Sequence, residues 1–165
     1  MAYTRTQLNG LLAEMGITTV TVDHPAVHTV ADSSAVDLGL SGAHTKNLFL
    51  KDDKGKLFLV IAESGTKVDL KALSRRLGAG RFSFGKPELL DSVLGVSAGS
   101  VTAFAVVNDG DRRVSVVIDQ ELAAYDRVNC HPLENTATTN IALEDLLRFI
   151  RATGHELQFM NLNAT

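Results

Sequence analysis

Asp126-Arg127-Val128-Asn129-Cys130-His131-Pro132-Leu133-Glu134-Asn135-Thr136-Ala137-Thr138-Thr139-Asn140 is the stretch on which the reading of the fold turns. A short apolar segment through Val128 runs into Cys130-His131-Pro132. Pro132 cannot continue a strand ladder, and it biases His131 towards an extended backbone. His131 is therefore expected at a strand exit, held by a stiff corner. Behind the corner come five short polar side chains, Asn135, Thr136, Thr138, Thr139 and Asn140, able to bond local backbone or face a ligand. Two readings stay open: a polar cup, or a plain loop ending in the Asn140 cap of a helix that begins at Ile141.

Beyond this stretch, Leu143, Leu146, Leu147 and Ile150 fall on one stripe of that helix, which runs to Ala152, and Leu157 to Met160 adds a last strand. Ahead of it, Val101 to Val107 and Arg113 to Asp119 read as strands joined through Asn108-Asp109-Gly110-Asp111-Arg112 as a hairpin. A second hairpin is expected from Thr45 to Lys51 and Lys56 to Ala62, turning on Asp52-Asp53-Lys54-Gly55, with Lys46 and Asn47 opening its first strand. Ile17 to Val22 alternates and reads as a strand.

Helices are expected after the Thr4/Gln7 capping box, from the Asp69 cap to Leu77 with Gly78 as stop, from Pro87 to Leu94, and briefly over 32–39. Strands outnumber helices, so the fold class is α/β: a single domain over residues 1–165 with a mixed, largely antiparallel sheet and helices packed around it. Gly78-Ala79-Gly80 and Gly95 to Gly99 fit neither a dinucleotide fingerprint nor a Walker loop.

Composition narrows the classes further. The chain has 165 residues, 45% hydrophobic and 21% charged, which is ordinary for one globular domain. One cysteine, Cys130, excludes an intramolecular disulfide, and no Cys or His pair has zinc-like spacing, so no metal is expected. His24 and His28 bracket Pro25, which argues against a shared helical metal face. No apolar run approaches membrane-spanning length and the N-terminus lacks a signal peptide's apolar centre, so a cytoplasmic protein is expected.

The net charge of −3 argues against wrapping a long duplex and hence against DNA as partner. It hides a division, however. Residues 44–86 hold ten Lys or Arg against four Asp or Glu, while the remainder holds six against fifteen. A small anionic feature can dock on the central segment while the rest repels bulk polyanion.

Three motifs taken together resemble a known family. Ala43-His44-Thr45-Lys46-Asn47-Leu48-Phe49-Leu50-Lys51, then Gly95-Val96-Ser97-Ala98-Gly99-Ser100-Val101-Thr102, then Asn129-Cys130-His131-Pro132-Leu133 with Asn135-Thr136-Ala137-Thr138-Thr139, are similar in kind and order to the YbaK/prolyl-tRNA synthetase editing-domain superfamily. The nearest branch is the stand-alone PrdX/ProXp-ala group, which hydrolyses alanine mischarged on proline tRNA. The resemblance spans about Thr4 to Leu162.

It implies a small α/β fold with a strongly curved mixed sheet, no cofactor and no metal, and hydrolysis of an aminoacyl ester at the 3′ end of tRNA. The implied partners are the tRNA acceptor end and, as a candidate, prolyl-tRNA synthetase. It carries over Lys46 and His131 as catalytic positions, with Asn47, Arg81, Gly99, Ser100 and Thr136 as substrate-binding positions. One departure stands out: Ala103 occupies the place of an expected proline in the loop that receives the terminal adenosine, and Ala98 replaces another, which frees the backbone there.

Each of these residues also has a plain reading. Lys46 can meet phosphate or the aminoacyl group as a point charge with three donors, or simply be a solvated lysine. His131 can position water, bind phosphate or shuttle a proton, or be satisfied by its loop. Asn47 can donate to the substrate carbonyl or bond strand-end backbone. Gly99 can admit the adenosine or serve a turn.

Cys130 is not paired with His131, because neighbours on a strand point to opposite faces. Phe49, Phe58 and Leu59 are assigned to the core. Besides an alanine deacylase, the sequence leaves open a deacylase for Ser or Cys, a non-catalytic module binding a tRNA end or nucleotide, and a regulatory domain that recruits a synthetase.

Overall fold

The structure, a computed structural model, describes residues 2–26 and 39–163. In chain order the elements are α1 (Arg5–Glu14), β1 (Val20–Asp23), β2 (Ala43–Lys51), β3 (Leu57–Glu63), α2 (Leu70–Arg76), β4 (Ser83–Phe84), α3 (Pro87–Leu94), β5 (Val114–Asp119), β6 (Arg127–Cys130), β7 (Ala137–Ala142), α4 (Leu143–Ala152) and β8 (Leu157–Met160). Short 3-10 helices run over Ala98–Ser100, Ala103–Asn108 and Gln120–Ala124. The expected helix over 32–39 lies outside the described residues, apart from Gly39.

Local chemistry accounts for most boundaries. Thr4 and Gln7 form the expected capping box, each side chain bonding the other's backbone N–H. Asp69 caps α2 by accepting from Ala72 N at 2.9 Å, and Gly78 follows at φ 64°. Pro87 opens α3, and Gly95 in the left-handed region closes it.

The sheet is mixed, in the order β1-β7-β6-β2-β3-β5-β8, with β4 added to β2. Strand β2 is its pivot. Along one edge it pairs antiparallel with β3 from Thr45 to Lys51, so the hairpin at Asp52 forms as expected. Along the other edge its first two residues pair parallel with β6, and its last two pair antiparallel with β4. Odd residues of β2 face a large core containing Phe49, Leu59, Ile61, Phe104 and Phe149. Even residues face a smaller core of Leu50, Phe58, Val60 and Leu73 under α2. Phe49, Phe58 and Leu59 are thus core residues, exposed by 4% or less.

Three expectations are corrected. Residues 103–108 form a 3-10 turn rather than the strand expected over 101–107, so the hairpin around Asp109 does not exist. A short continuous apolar run fits strand and buried turn equally by periodicity. Here Thr102 caps the turn, and β5 pairs parallel with both β3 and β8.

The polar run after Thr136 is neither loop nor helix cap. Ala137–Ala142 is a strand between β1 and β6, and Thr138, Thr139 and Asn140 are 7%, 0% and 4% exposed. Helix α4 therefore starts at Leu143, preceded by Ala142 and without a side-chain cap. At the N-terminal end, β1 begins at Val20 rather than Ile17, because Ile17 turns into the core and its N–H bonds Leu12 O.

Candidate active site

Between Thr45 and Phe49, the edge of β2 that faces β6 and β4 has no paired strand among the described residues. Strand β6 leaves after pairing with His44, and β4 arrives only at Leu50. The carbonyl of His44 bonds Ser64 on the β3 side, whereas the carbonyl of Phe49 accepts from Gly85 on the β4 side. Backbone directions alternate along a strand, so the N–H and C=O of Asn47 project into this gap. The sequence expectation put Lys46 and Asn47 at the start of the strand; they lie in its middle, where the sheet splits.

A small pocket fills the split, lined by His44, Thr45, Asn47, Asn129, Cys130, His131 and Thr138. Its base has room for about one water molecule. Of Lys46, Asn47, Gly99 and His131, expected to line one cleft, Asn47 and His131 line this pocket, whereas Lys46 and Gly99 do not. The Oδ1 atom of Asn47 is buried without a hydrogen-bond partner. Turning the amide over only exchanges which of its polar ends is the buried one.

His131 follows the last residue of β6, at the expected strand exit. Its Nδ1 lies 2.9 Å from Ala137 O. A carbonyl only accepts, so Nδ1 carries the proton, and in the neutral ring Nε2 holds a free lone pair. Burial pushes the His131 imidazole below its ordinary range, and the neighbouring His24, 6.3 Å away between ring centres, pushes the same way; the Ala137 bond opposes both. The ring is therefore held as a neutral base.

Cys130 beside it is no nucleophile. Its thiol is buried, contacts Thr45 Oγ1 at 3.6 Å, and is pushed up to about 11 by loss of solvent.

The other expected residues are placed less centrally. Lys46 leaves β2 on the same face as His44, one pleat or about 7 Å further along, and is not a lining residue. Gly99 and Ser100 form a 3-10 turn with Ser100 buried; the segment reaches the site through Thr102, whose hydroxyl donates to His131 O at 2.6 Å. Ala103 is fully buried as the first residue of the next turn, so Thr102, not a proline ring, fixes this loop.

Thr136 is exposed and donates to Glu134, which is also bonded by Arg5. Arg81 follows Gly80, whose N–H bonds Asp52 in the β2–β3 turn, and so sits at the end of the hairpin remote from Asn47.

Two groups of supporting residues were not assigned as such from the sequence, which named only Thr138 and Asn140 among them as short polar side chains. Asn129 and Asn140 bond each other at 2.9 Å, and both donate to Ser41 O; Asn129 also reaches Ala43 O, and Arg127 bonds Asn140. This buried cluster pins the start of β2 to β6 and β7. Backbone fit completes it: Gly42, at φ 85°, lies so close to Arg127 that a Cβ would fall 2.1 Å from the Arg127 carbonyl oxygen. The second group is His24 with Thr138, joined at 2.8 Å. Only the abundance of Asn and Thr hinted at either.

A pocket with an uncommitted amide and a neutral imidazole, opening at a split sheet edge, suits hydrolysis of an activated ester. The aminoacyl-tRNA editing domain family matches residues 24–149, and the chain belongs to that family. It is an aminoacyl-tRNA deacylase, a hydrolase whose substrate is a mischarged tRNA.

Within the family its relatives carry prolyl names. The chain is 40% identical over 153 residues to the prolyl-tRNA synthetase associated domain-containing protein 1 of Danio rerio, covering 92% of this chain and 83% of that protein. It is 34% identical over 152 residues to the prolyl-tRNA editing protein ProX of Acetoanaerobium sticklandii, covering 92% and 93%. The fold is shared with a crystal structure of a proposed trans-editing enzyme for prolyl tRNA synthetase, with a TM-score of 0.74, 20% identity and 99% of each chain covered. Among the described residues, no helix is long and apolar enough to cross a membrane.

Proposed function

We propose that this deacylase works in trans on alanine mischarged to proline tRNA. The observation that carries the reading is that Asn47 and His131 line one pocket, which is too small for a bulky side chain. The prolyl names of the relatives support proline tRNA as the carrier.

A synthetase pocket shaped for proline rejects a smaller amino acid poorly, because missing methylenes are worth only about 1–3 kcal/mol. A second, smaller pocket corrects the error by admitting alanine and excluding the pyrrolidine ring.

In this reading the ester carbonyl lies at the open edge of β2. The Asn47 side-chain amide and backbone N–H donate to the oxygen as it becomes an oxyanion. Nε2 of His131 orients the attacking water and takes its proton, and the same proton then reaches the leaving ribose oxygen. Lys46 at the rim meets the terminal phosphodiester as a point charge. Gly99 and Ser100 flank the adenosine on the loop that Thr102 ties to His131, while Thr136 and Arg81 contact the more distant part of the acceptor end.

The basic segment supports this docking, since residues 44–86 build the β2–β3 hairpin, α2 and β4 side by side.

The test is release of amino acid from proline tRNA charged with alanine, serine, cysteine or proline. Fast loss of alanine alone, abolished in His131→Ala, is expected. Equal loss of serine or cysteine would move the specificity, and loss of none would overturn the reading.

A further inference from the structure

His24 makes two hydrogen bonds that together fix the direction of a pocket hydroxyl. Its Nδ1 lies 2.8 Å from Pro25 O, and its Nε2 lies 2.8 Å from Thr138 Oγ1. The carbonyl of Pro25 can only accept, so Nδ1–H is the donor. In the neutral ring Nε2 then has only a lone pair, and Thr138 must donate its hydroxyl proton to it.

That proton is not available to the pocket. Thr138, 7% exposed, lines the pocket together with Asn47 and can offer it lone pairs alone. Besides the buried Oδ1 of Asn47, itself an acceptor, the polar groups divide by role. Nε2 of His131 is a base, and the N–H groups of Asn47 are donors suited to the carbonyl. Thr138 adds an acceptor whose direction is fixed by His24, as a bound ammonium needs.

We propose that Thr138 receives the α-amino group of the aminoacyl ester, and that His24 is the positioning residue that keeps the Thr138 hydroxyl turned as an acceptor. This rests on the deacylase reading above and adds a chemical criterion to its size criterion: the acyl group must carry an α-ammonium. A hydrogen bond from a charged donor is about twice as strong as one between neutral groups. Loss of the acceptor therefore acts on amino-acyl esters far more than on hydroxy-acyl esters.

The experiment compares kcat/KM for alanyl and lactyl esters of the same proline tRNA, the second having a hydroxyl in place of the amine. Each rate is taken relative to hydrolysis in buffer. Wild-type protein is expected to prefer the alanyl ester by roughly tenfold or more. Thr138→Val should reduce that preference to within about threefold, through loss on the alanyl ester only. Thr138→Ser keeps a hydroxyl and should keep the preference.

His24→Leu should behave as Thr138→Val does. His24→Gln, whose amide oxygen can accept from Thr138, should restore the preference, so this pair decides the matter even if Thr138→Val fails to fold. A merely structural role for His24 would lower both rates together and leave their ratio unmoved, which would overturn the proposal while leaving the deacylase intact. Failure of wild-type protein to hydrolyse either ester would overturn the deacylase reading itself.

Discussion

Asn47→Leu separates the demands of folding from those of chemistry at one position. The side chains are close in volume, so the substitution removes polarity with little change of shape. Its Oδ1 is buried without a partner, and leaving such a group unsatisfied costs about 1–3 kcal/mol. Replacement by an apolar group of similar shape recovers much of that. For a chain of this size each kcal/mol moves Tm by about 2–4 °C, so a rise of roughly 2–8 °C is expected. Catalysis should move the other way. Losing one oxyanion donor lowers kcat by about 10²–10³-fold. Thermal unfolding followed by circular dichroism gives the first number, and single-turnover deacylation of alanyl-tRNA gives the second. A fall in Tm would show that the amide is a satisfied structural group. Turnover within threefold of wild type would show that it never meets the carbonyl. Either result refutes the assignment of Asn47.

Further outcomes follow from the same geometry. Cys130→Ala should leave deacylation within about twofold and resistant to thiol alkylation, because the thiol is buried and protonated; inactivation would reinstate a cysteine nucleophile. Gly42→Ala should destabilise by roughly 2 kcal/mol or more, since it forces a side chain into the left-handed region and against Arg127, and a urea midpoint near wild type would contradict this. The pH profile of kcat/KM should hold its plateau below the ordinary imidazole range and fall only as His131 protonates; His131→Gln should abolish that acid limb. The linkage has the same sign: a histidine whose folded value is lowered binds protons more readily unfolded. Its share of stability is thus present above the unfolded value and lost as pH falls through the folded one, an effect a urea titration series would record. His155→Leu should cost about 3–5 kcal/mol by stranding buried Asp109, with deacylation per folded molecule unchanged.

What the sequence disclosed, and what it hid, follows the range of the forces involved. The Thr4 capping box, the Asp69 cap, Pro87 and the Asp52 turn are local signals, and each appears where its residues place it. His131 at its strand exit was legible for the same reason, because Pro132 acts on its immediate neighbour. Strand β7 was not. Thr138, Thr139 and Asn140 are polar enough to read as loop, and only their non-local partners, His24, Thr21, Asn129 and Ser41, make burial tolerable. The turn at residues 103–108 failed for the complementary reason: its run of apolar side chains says that it is buried and nothing about its period. Nor does any local pattern announce the open edge at Asn47, since the gap depends on where β6 leaves and β4 arrives, each more than thirty residues away.

Two buried histidines show how partner accounting distinguishes a site from a strut. His155 stands between Thr153 and Asp109 in an order that imitates a hydroxyl–imidazole–carboxylate triad, with 2.8 Å on either side. The Thr153 hydroxyl donates to Ile150 O at 2.6 Å, so it accepts from Nδ1; Asp109 accepts from Nε2 and also from the backbone of Arg113 and Val114. Both ring nitrogens are therefore committed to partners. No lone pair is left to take a proton and no hydroxyl proton is left to give. With the imidazole and the carboxylate 0% and 2% exposed, the group ties the loop before β5 to the end of α4 and does nothing more. His131 is bound on one side only. Its Nδ1 is committed to Ala137, its backbone to Thr102, and its Nε2 faces a pocket where Asn47 also has bonding capacity to spare. A folded chain normally satisfies its buried polar atoms, and Asn47 Oδ1, left unspent in the pocket that His131 also lines, lies where the proposed function puts the substrate.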